Sequence, residues 1–278
     1  MAAGAVLLFA GLAGCSGQQS ASLSGDLRVE IQQGRTDYTS GTIVIRVVNE
    51  SDNDVGLRQV ALVTPAFPDS APWERGTTVR AGTTVDLRTP LPEPDCAAST
   101  DAPQVSLEFR ARNGQGTVAI GASDPLGTLT RLHDEACLAQ DVGRLATITV
   151  DPPQVTGTGA DSVAMLPVTF TPTGADGTLT VTGAASTPLL KPATSATGTE
   201  TTDWSFTVAL PGSGDAVTER LEIIPARCDP HAIAEDKVGT VLLLSVDTGD
   251  RTGTYRLVPP TDVTDALLAF VHDACGMP

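Results

Sequence analysis

Leu132-His133-Asp134-Glu135-Ala136-Cys137 recurs later in the chain as Val271-His272-Asp273-Ala274-Cys275. Each stretch has a partner upstream: Leu91-Pro92-Glu93-Pro94-Asp95-Cys96 for the first and Ile224-Pro225-Ala226-Arg227-Cys228 for the second. Between the two cysteines of each pair come a strand-like run (Val105 to Phe109; Val241 to Val246), a Gly-rich turn and another strand. A short helix then carries the second cysteine. One order of elements met twice is the mark of an internal repeat. It predicts two copies of one module, residues 26–140 and 143–278, each of ordinary domain size. Ala139 to Arg144 reads as a short polar connection between them.

The strand signal is alternation with period two. In Thr42-Ile43-Val44-Ile45-Arg46-Val47-Val48, Ile43, Ile45 and Val47 share one face. Leu145 to Val150, Val163 to Phe170, Thr178 to Thr182, Trp204 to Ala209 and Leu221 to Ile224 continue the theme. Turn signals separate them at Asn113-Gly114, Gly174 to Gly177, Pro211 to Gly214 and Gly249-Asp250. The expected fold is therefore all-β: two tandem immunoglobulin-like β-sandwich domains, each ending in a short disulfide-tethered α-helix. For the first helix, Asp124-Pro125 reads as an N-cap and first-turn proline, followed by Leu126, Leu129 and Leu132. For the second, Thr261 or Asp262 reads as the cap, and Val263, Ala266, Leu267, Phe270, Val271 and Ala274 fall at helical spacing.

Five cysteines are present, and Cys15 stands apart from the rest. It follows the apolar run 3–14, AGAVLLFAGLAG, which is too short to span a bilayer. An apolar stretch closing on small residues has the layout of a secretory signal, with a buried first strand or helix as the structural alternative. Leu12-Ala13-Gly14-Cys15 resembles the bacterial lipobox, although no Lys or Arg precedes the run. The resemblance implies a signal peptide over 1–14 and a lipidated Cys15 leading a flexible Ser/Gln/Gly tether over 15–25. Export would leave Cys96, Cys137, Cys228 and Cys275 in an oxidising compartment where disulfides persist. Four cysteines allow three pairings, and the repeat selects Cys96–Cys137 and Cys228–Cys275. Loops of that length correspond to roughly 4 kcal/mol each in the chain-entropy model, a large share for a chain with only 4% aromatic residues.

The net charge of −16 repels phosphate backbones and anionic headgroups alike, so nucleic acid is not an expected partner and any membrane attachment must be covalent or hydrophobic. The two lysines against fifteen arginines, with abundant Ala, Gly, Pro and Val, are the bias of a GC-rich genome.

The densest polar stretch is Arg227-Cys228-Asp229-Pro230-His231-Ala232-Ile233-Ala234-Glu235-Asp236-Lys237. Its Arg227, Asp229, His231, Glu235, Asp236 and Lys237 form a candidate binding loop. As plain structure, Asp229-Pro230 begins a turn and the charges pair locally. No nucleophile with an orienting partner accompanies them, so no catalytic residue is expected. His133 and His272, each followed by Asp and then Cys, read as exposed helix-terminal histidines rather than metal ligands, because disulfides would consume the thiolates. No metal and no cofactor are expected. Asp247-Thr248-Gly249-Asp250 reads as a hairpin turn and lacks the ligand sequence of a calcium loop. Asn49-Glu50-Ser51 matches a glycosylation acceptor only formally.

The stretch Arg-Cys-Asp-Pro-His-Ala-x-Ala-Glu-Asp-Lys, followed by strands and a helix ending in Cys, resembles a group of secreted proteins and lipoproteins of actinobacteria over residues 221–275. The resemblance implies location and architecture and carries no activity. The expected function is a non-enzymatic cell-envelope lipoprotein. It would sit on the extracytoplasmic face of the cell membrane through its lipid anchor and act as a binding or structural module for an envelope protein or glycan. The alternatives are a solute-binding lipoprotein of a transporter, which needs a deep cleft with convergent polar groups, and, less favoured, an envelope hydrolase.

Overall fold

A computed structural model describes residues 27–34, 37, 41–112, 114–193, 202–231 and 239–277. The chain divides into two compact units, the first ending at Leu129 and the second spanning Thr130–Pro278.

The first unit is built from β1 (Leu27–Gln32), β2 (Thr42–Asn49), β3 (Val55–Val63), β4 (Thr77–Val79), β5 (Thr84–Pro90), β6 (Gln104–Ala111) and β7 (Gly114–Ser123). Their hydrogen-bonded order is β4-β3-β6-β7-β1-β2-β5. All pairings are antiparallel except β1 with β7, which is parallel and two residue pairs long, Val29 with Ala122 and Glu30 with Ser123. The alternation in β2 works as its sequence predicts: Ile43, Ile45 and Val47 are fully buried, while Arg46 points outward. A bulge between Leu57 and Gln59 interrupts the β3–β6 register, which bends the strand locally. Asn49 is buried. Its amide donates to the carbonyls of Asn53 and Val79, and its Oδ1 accepts from Ser51 N–H, so it holds a loop and presents no attachment point.

Helix α1 (Thr128–Leu145) starts where the first unit ends. Asp124 Oδ1 and Oδ2 accept the amide hydrogens of Thr128 and Leu129 at 2.7 and 2.8 Å, across a turn in which Gly127 takes φ +61°. The Asp124 side chain does satisfy the first amides, but Pro125 is not the first helical residue: the helix begins at Thr128, two residues after Leu126. Leu126 is therefore 79% exposed and does not belong to the apolar stripe. A larger correction concerns Ala139 to Arg144, which are helical, not a connection. Leu138, Val142 and Leu145 recur at spacings of four and three and are all buried, so the helix continues on that face.

The second unit continues with β8 (Ala146–Val150), β9 (Gln154–Thr156), a 3-10 turn (Gly159–Asp161), β10 (Val163–Pro172), β11 (Thr178–Ala185), β12 (Leu190–Pro192), β13 (Asp203–Pro211), β14 (Val217–Pro225), β15 (Leu242–Asp247), β16 (Thr252–Leu257) and α2 (Thr261–Ala274). One sheet runs β12-β14-β10-β8, with β9 also on β10, and a second runs β13-β11-β15-β16. Pro152 and Pro153 separate β8 from β9 by removing two consecutive N–H donors from the ladder. Leu166, Phe170, Leu221 and Ile223 from one sheet and Leu179, Val181, Leu242 and Leu244 from the other belong to one buried cluster. Two antiparallel sheets over a common core make a β-sandwich, and this strand order is of immunoglobulin-like type. Gly183 marks a bulge in β11 at φ +147°, where a Cβ would lie 2.3 Å from the Trp204 carbonyl oxygen.

Helix α2 buries Val263, Leu267, Phe270, Val271 and Ala274, the stripe its spacing predicts. Its start differs from expectation. Pro260 occupies the cap position and no side chain caps the helix, so neither Thr261 nor Asp262 serves there. The Pro260 carbonyl accepts the Thr264 N–H instead.

Candidate functional site

The candidate loop follows β14 and is held at both described ends. On the leading side, Ala226 N–H donates to the Leu189 carbonyl, and Cys228 is bonded to Cys275 at the C-terminal end of α2. On the trailing side the Thr187 hydroxyl donates to the Gly239 carbonyl and itself accepts from the Leu190 amide. Within the loop, Asp229 Oδ1 accepts the His231 N–H at 3.0 Å, closing the turn expected at Asp229-Pro230. Arg227, Asp229 and His231 are exposed. Glu235, Asp236 and Lys237 lie outside the described residues, as do Cys15 and the whole of 1–25. The described part of the loop is thus a crosslinked, turn-shaped display of one cation, one carboxylate and one imidazole.

The histidines before the paired cysteines are not equivalent. His272 is exposed in the last turn of α2, as expected. His133 is buried in the body of α1, contrary to expectation, because α1 runs two turns beyond Cys137. Its Nε2 lies 3.7 Å from Cys137 Sγ and its Nδ1 3.5 Å from Asp134 Oδ1. Cys96 and Cys137 are both in disulfide form, and Cys137 is fully buried. Among the described residues no group of three or more His, Cys, Asp or Glu is placed to hold a metal ion.

The sequence Asp247 to Asp250 forms the predicted hairpin. Thr248 N–H donates to the Arg251 carbonyl, and Gly249, at φ +86°, donates to Asp247 Oδ1. The carboxylate is used within the turn.

A polar cluster in the first unit was not foreseen. Arg28, Glu30, Arg46 and Asp86 line a shallow cleft of ≈ 470 Å³ on the outer face of β1, β2 and β5. Arg46 donates two hydrogen bonds to Asp86, at 2.8 and 2.9 Å, from directly opposite register positions. That bidentate pair holds the Asp86 carboxyl below its ordinary value and the guanidinium above its own. Arg28 bonds Glu50 and Glu30, the Glu50 hydrogen bond being the main cause of its raised pKa. The period-two placement of Arg28 with Glu30 was visible in sequence, but the partnership with Asp86 depends on strand register.

Two further clefts lie in the second unit. One of ≈ 440 Å³ is largely apolar, lined by Pro153, Val155, Ala266, Ala269 and Phe270. The other, of ≈ 360 Å³, lies between α1 and β16, lined by Asp134, Glu135, Leu138, Arg251 and Gly253. Asp141 of α1 accepts a 2.5 Å bond from Arg251, the residue just before β16. Among the described residues no helix is long and apolar enough to cross a membrane.

No protein-family model matches the chain, and no curated protein is significantly similar to it. Among solved structures it is similar to CBD12 from CALX1.2 at a TM-score of 0.24 and 11% identity, covering 74% of this chain and 73% of that one. It is similar to red sea bream transglutaminase at 0.24 and 15%, covering 85% of this chain and 31% of the enzyme. For the YadV chaperone the values are 0.22 and 12%, covering 84% of this chain and all of that one (100%). Scores of this size assign neither a family nor an activity.

Proposed function

We propose that the protein is a non-enzymatic envelope lipoprotein: a signal peptide over 1–14, a lipidated Cys15, a tether to residue 25, and two related immunoglobulin-like domains displayed outside the membrane to bind or brace an envelope protein or glycan. The observation that carries the reading is the oxidised state of Cys96, Cys137, Cys228 and Cys275. Disulfides persist outside the reducing cytoplasm, and export is what the lipobox-like Leu12-Ala13-Gly14-Cys15 would supply.

The repeat reading is supported by pairing. β2 with β5, β3 with β6 and β6 with β7 in the first unit correspond to β10 with β14, β11 with β15 and β15 with β16 in the second. Cys96 and Cys228 each follow the strand that closes the first of these pairs, which favours Cys96–Cys137 as the counterpart of Cys228–Cys275. The binding role is supported by the exposed Arg227, Asp229 and His231 on their crosslinked loop. Rigid presentation lowers the ordering cost of a contact.

The test is mass spectrometry of the native protein from a membrane fraction. The expected result is a mature N-terminus at Cys15 bearing diacylglycerol, with all four downstream cysteines oxidised. Recovery of a non-acylated protein with four free thiols would refute the reading.

A further inference from the structure

Val155 of β9 stands directly opposite Ala164 of β10, so the two side chains share a face of the sheet. Ala164 is fully buried in the core of the second unit, yet Val155, on that same face, is 51% exposed. β9 has β10 on one side and, among the described residues, no strand on the other. Its backbone is open there too. The Asp151 amide donates to the Pro167 carbonyl, so Pro167 turns its carbonyl toward the side of β10 that carries β8 and β9. Counted back by twos along β10, whose register is unbroken, Met165 and Val163 turn the same way. Their partners Gln154 and Thr156 therefore make the ladder bonds, and the N–H and C=O of Val155 point away from β10.

The largely apolar cleft of ≈ 440 Å³ opens beside this edge, and all of its lining lies in the second unit. Pro153 and Val155 line it from the strand, and Ala266, Ala269, Phe270 and Asp273 line it from α2. Asp273 is the one charged residue of the lining. It is exposed and takes part in no ion pair among the described residues. It also stands in the last turn of α2, where the helix dipole disfavours a carboxylate. Asp262, Ala266, Ala269 and Asp273 recur at spacings of four, three and four, which is one face of the helix. The helix side of the cleft is thus apolar in the middle and acidic at its ends.

We propose that the free edge of β9 and the cleft beside it take an extended, cationic segment of a partner protein as one more antiparallel strand. The segment's residue opposite Val155 exchanges both backbone bonds with it and sends an apolar side chain into the cleft, on the face Val155 occupies. Lysine or arginine two positions to either side shares that face and supplies the charge that Asp262 and Asp273 oppose. A second copy of this chain is the poorer occupant, because at a net charge of −16 it brings like charge to an acidic rim. The inference does not rest on the lipid anchor, and Arg227, Asp229 and His231 take no part in the lining.

The test is fluorescence anisotropy of the peptide fluorescein-Thr-Lys-Thr-Leu-Thr-Lys-Thr-amide titrated with the full chain. Saturable binding is expected, and its absence up to about 1 mM protein overturns the proposal. N-methylation of the leucine removes the donor aimed at the Val155 carbonyl and should weaken binding about tenfold. N-methylation of the threonine that follows, whose N–H faces away from β9, should leave it within about twofold. Equal loss from both methylations, or from neither, overturns strand addition. Ala269→Arg fills the cleft and reverses its charge, and should weaken binding about tenfold. Asp273→Asn should weaken it about threefold and flatten its dependence on salt. Both positions are exposed on α2, and thermal melting checks that each variant folds. Unchanged affinity in a folded Ala269→Arg overturns the site; if that variant does not fold, the methylated pair decides. Sedimentation of the peptide-free chain is run alongside. A dimer that Ala269→Arg dissociates would assign the cleft to a second copy and overturn the peptide reading.

Discussion

In the first unit β1 lies between β2 and β7, so seven strands form one hydrogen-bonded path. In the second, β8 pairs with β10 alone, and β16 stands at the margin of a separate four-stranded sheet. Among the described residues the second unit also adds β12 on the outer edge of β14, where its counterpart β5 ends the path; otherwise the difference lies in how one opening strand is used. β8 follows α1 without an intervening residue, and Pro152-Pro153 then breaks it; its continuation, β9, returns to the same partner strand. No such proline pair interrupts β1, which reaches β7 for two residue pairs. A shared strand scheme therefore tolerates either a closed or an open seam, and the second unit adds buried helical surface from α1 and α2.

The comparison can be broken most forcefully in the cores. Phe170→Ala in the second unit and Phe109→Ala in the first each remove a fully buried ring, at about 3–5 kcal/mol. Hydrogen exchange read by mass spectrometry should show lost protection confined to the unit that carries the change. Loss spreading evenly through both would mean that they do not behave as separate cooperative bodies. Next in size is the crosslink across the second unit: Cys228→Ser with Cys275→Ser opens a loop with a sequence separation of 47, about 4 kcal/mol in the chain-entropy model. Thermal unfolding followed by circular dichroism would read it, and a shift under 1 °C would contradict it.

The helix starts give a smaller contrast. Asp124→Ala removes two bonds to the first amides of α1 and should cost about 1–2 kcal/mol. Thr261→Ala, at a helix start without a side-chain cap, should stay within about 0.5 kcal/mol. Chemical denaturation of the two variants side by side separates them.

The smallest effect is a matter of pH. At matching places on the corresponding strand pairs, the first unit sets Arg46 against Asp86 and the second sets the hydroxyls of Thr169 and Thr218 2.9 Å apart. The depressed Asp86 value means that the pair's contribution is present above the carboxylate's unfolded pKa. It is lost as pH falls through the lower folded one. Both partners are about a third exposed, so the contribution is at most about 1 kcal/mol. Asp86→Asn should lower the unfolding midpoint at neutral pH, and the gap should close in acid. Thr218→Val should give a gap that does not vary with pH.

Alternation made β2 legible before any coordinates, as did the apolar stripe of α2 and the hairpin at Thr248, because each is decided within a few residues. α1 was only half legible. Gln140, Asp141, Gly143 and Arg144 look like a linker, and the three apolar residues that keep the helix packed are scattered among them. His133 was misjudged for the same reason, since a helix thought to end near Cys137 would have left it at a terminus. The Arg46–Asp86 pair was invisible because the partners are 40 residues apart and meet only through register. In the candidate loop, the turn at Asp229-Pro230 was legible because it is local.

The bond between Cys228 and Cys275 has a consequence for a chain cut by a protease. The hairpin at Asp247–Asp250 offers exposed backbone at Gly249 and Asp250, inside the stretch that the two sulfurs enclose. A cut there severs the polypeptide without releasing either piece, so the nicked molecule would run as one band on a non-reducing gel and fall apart only when reduced.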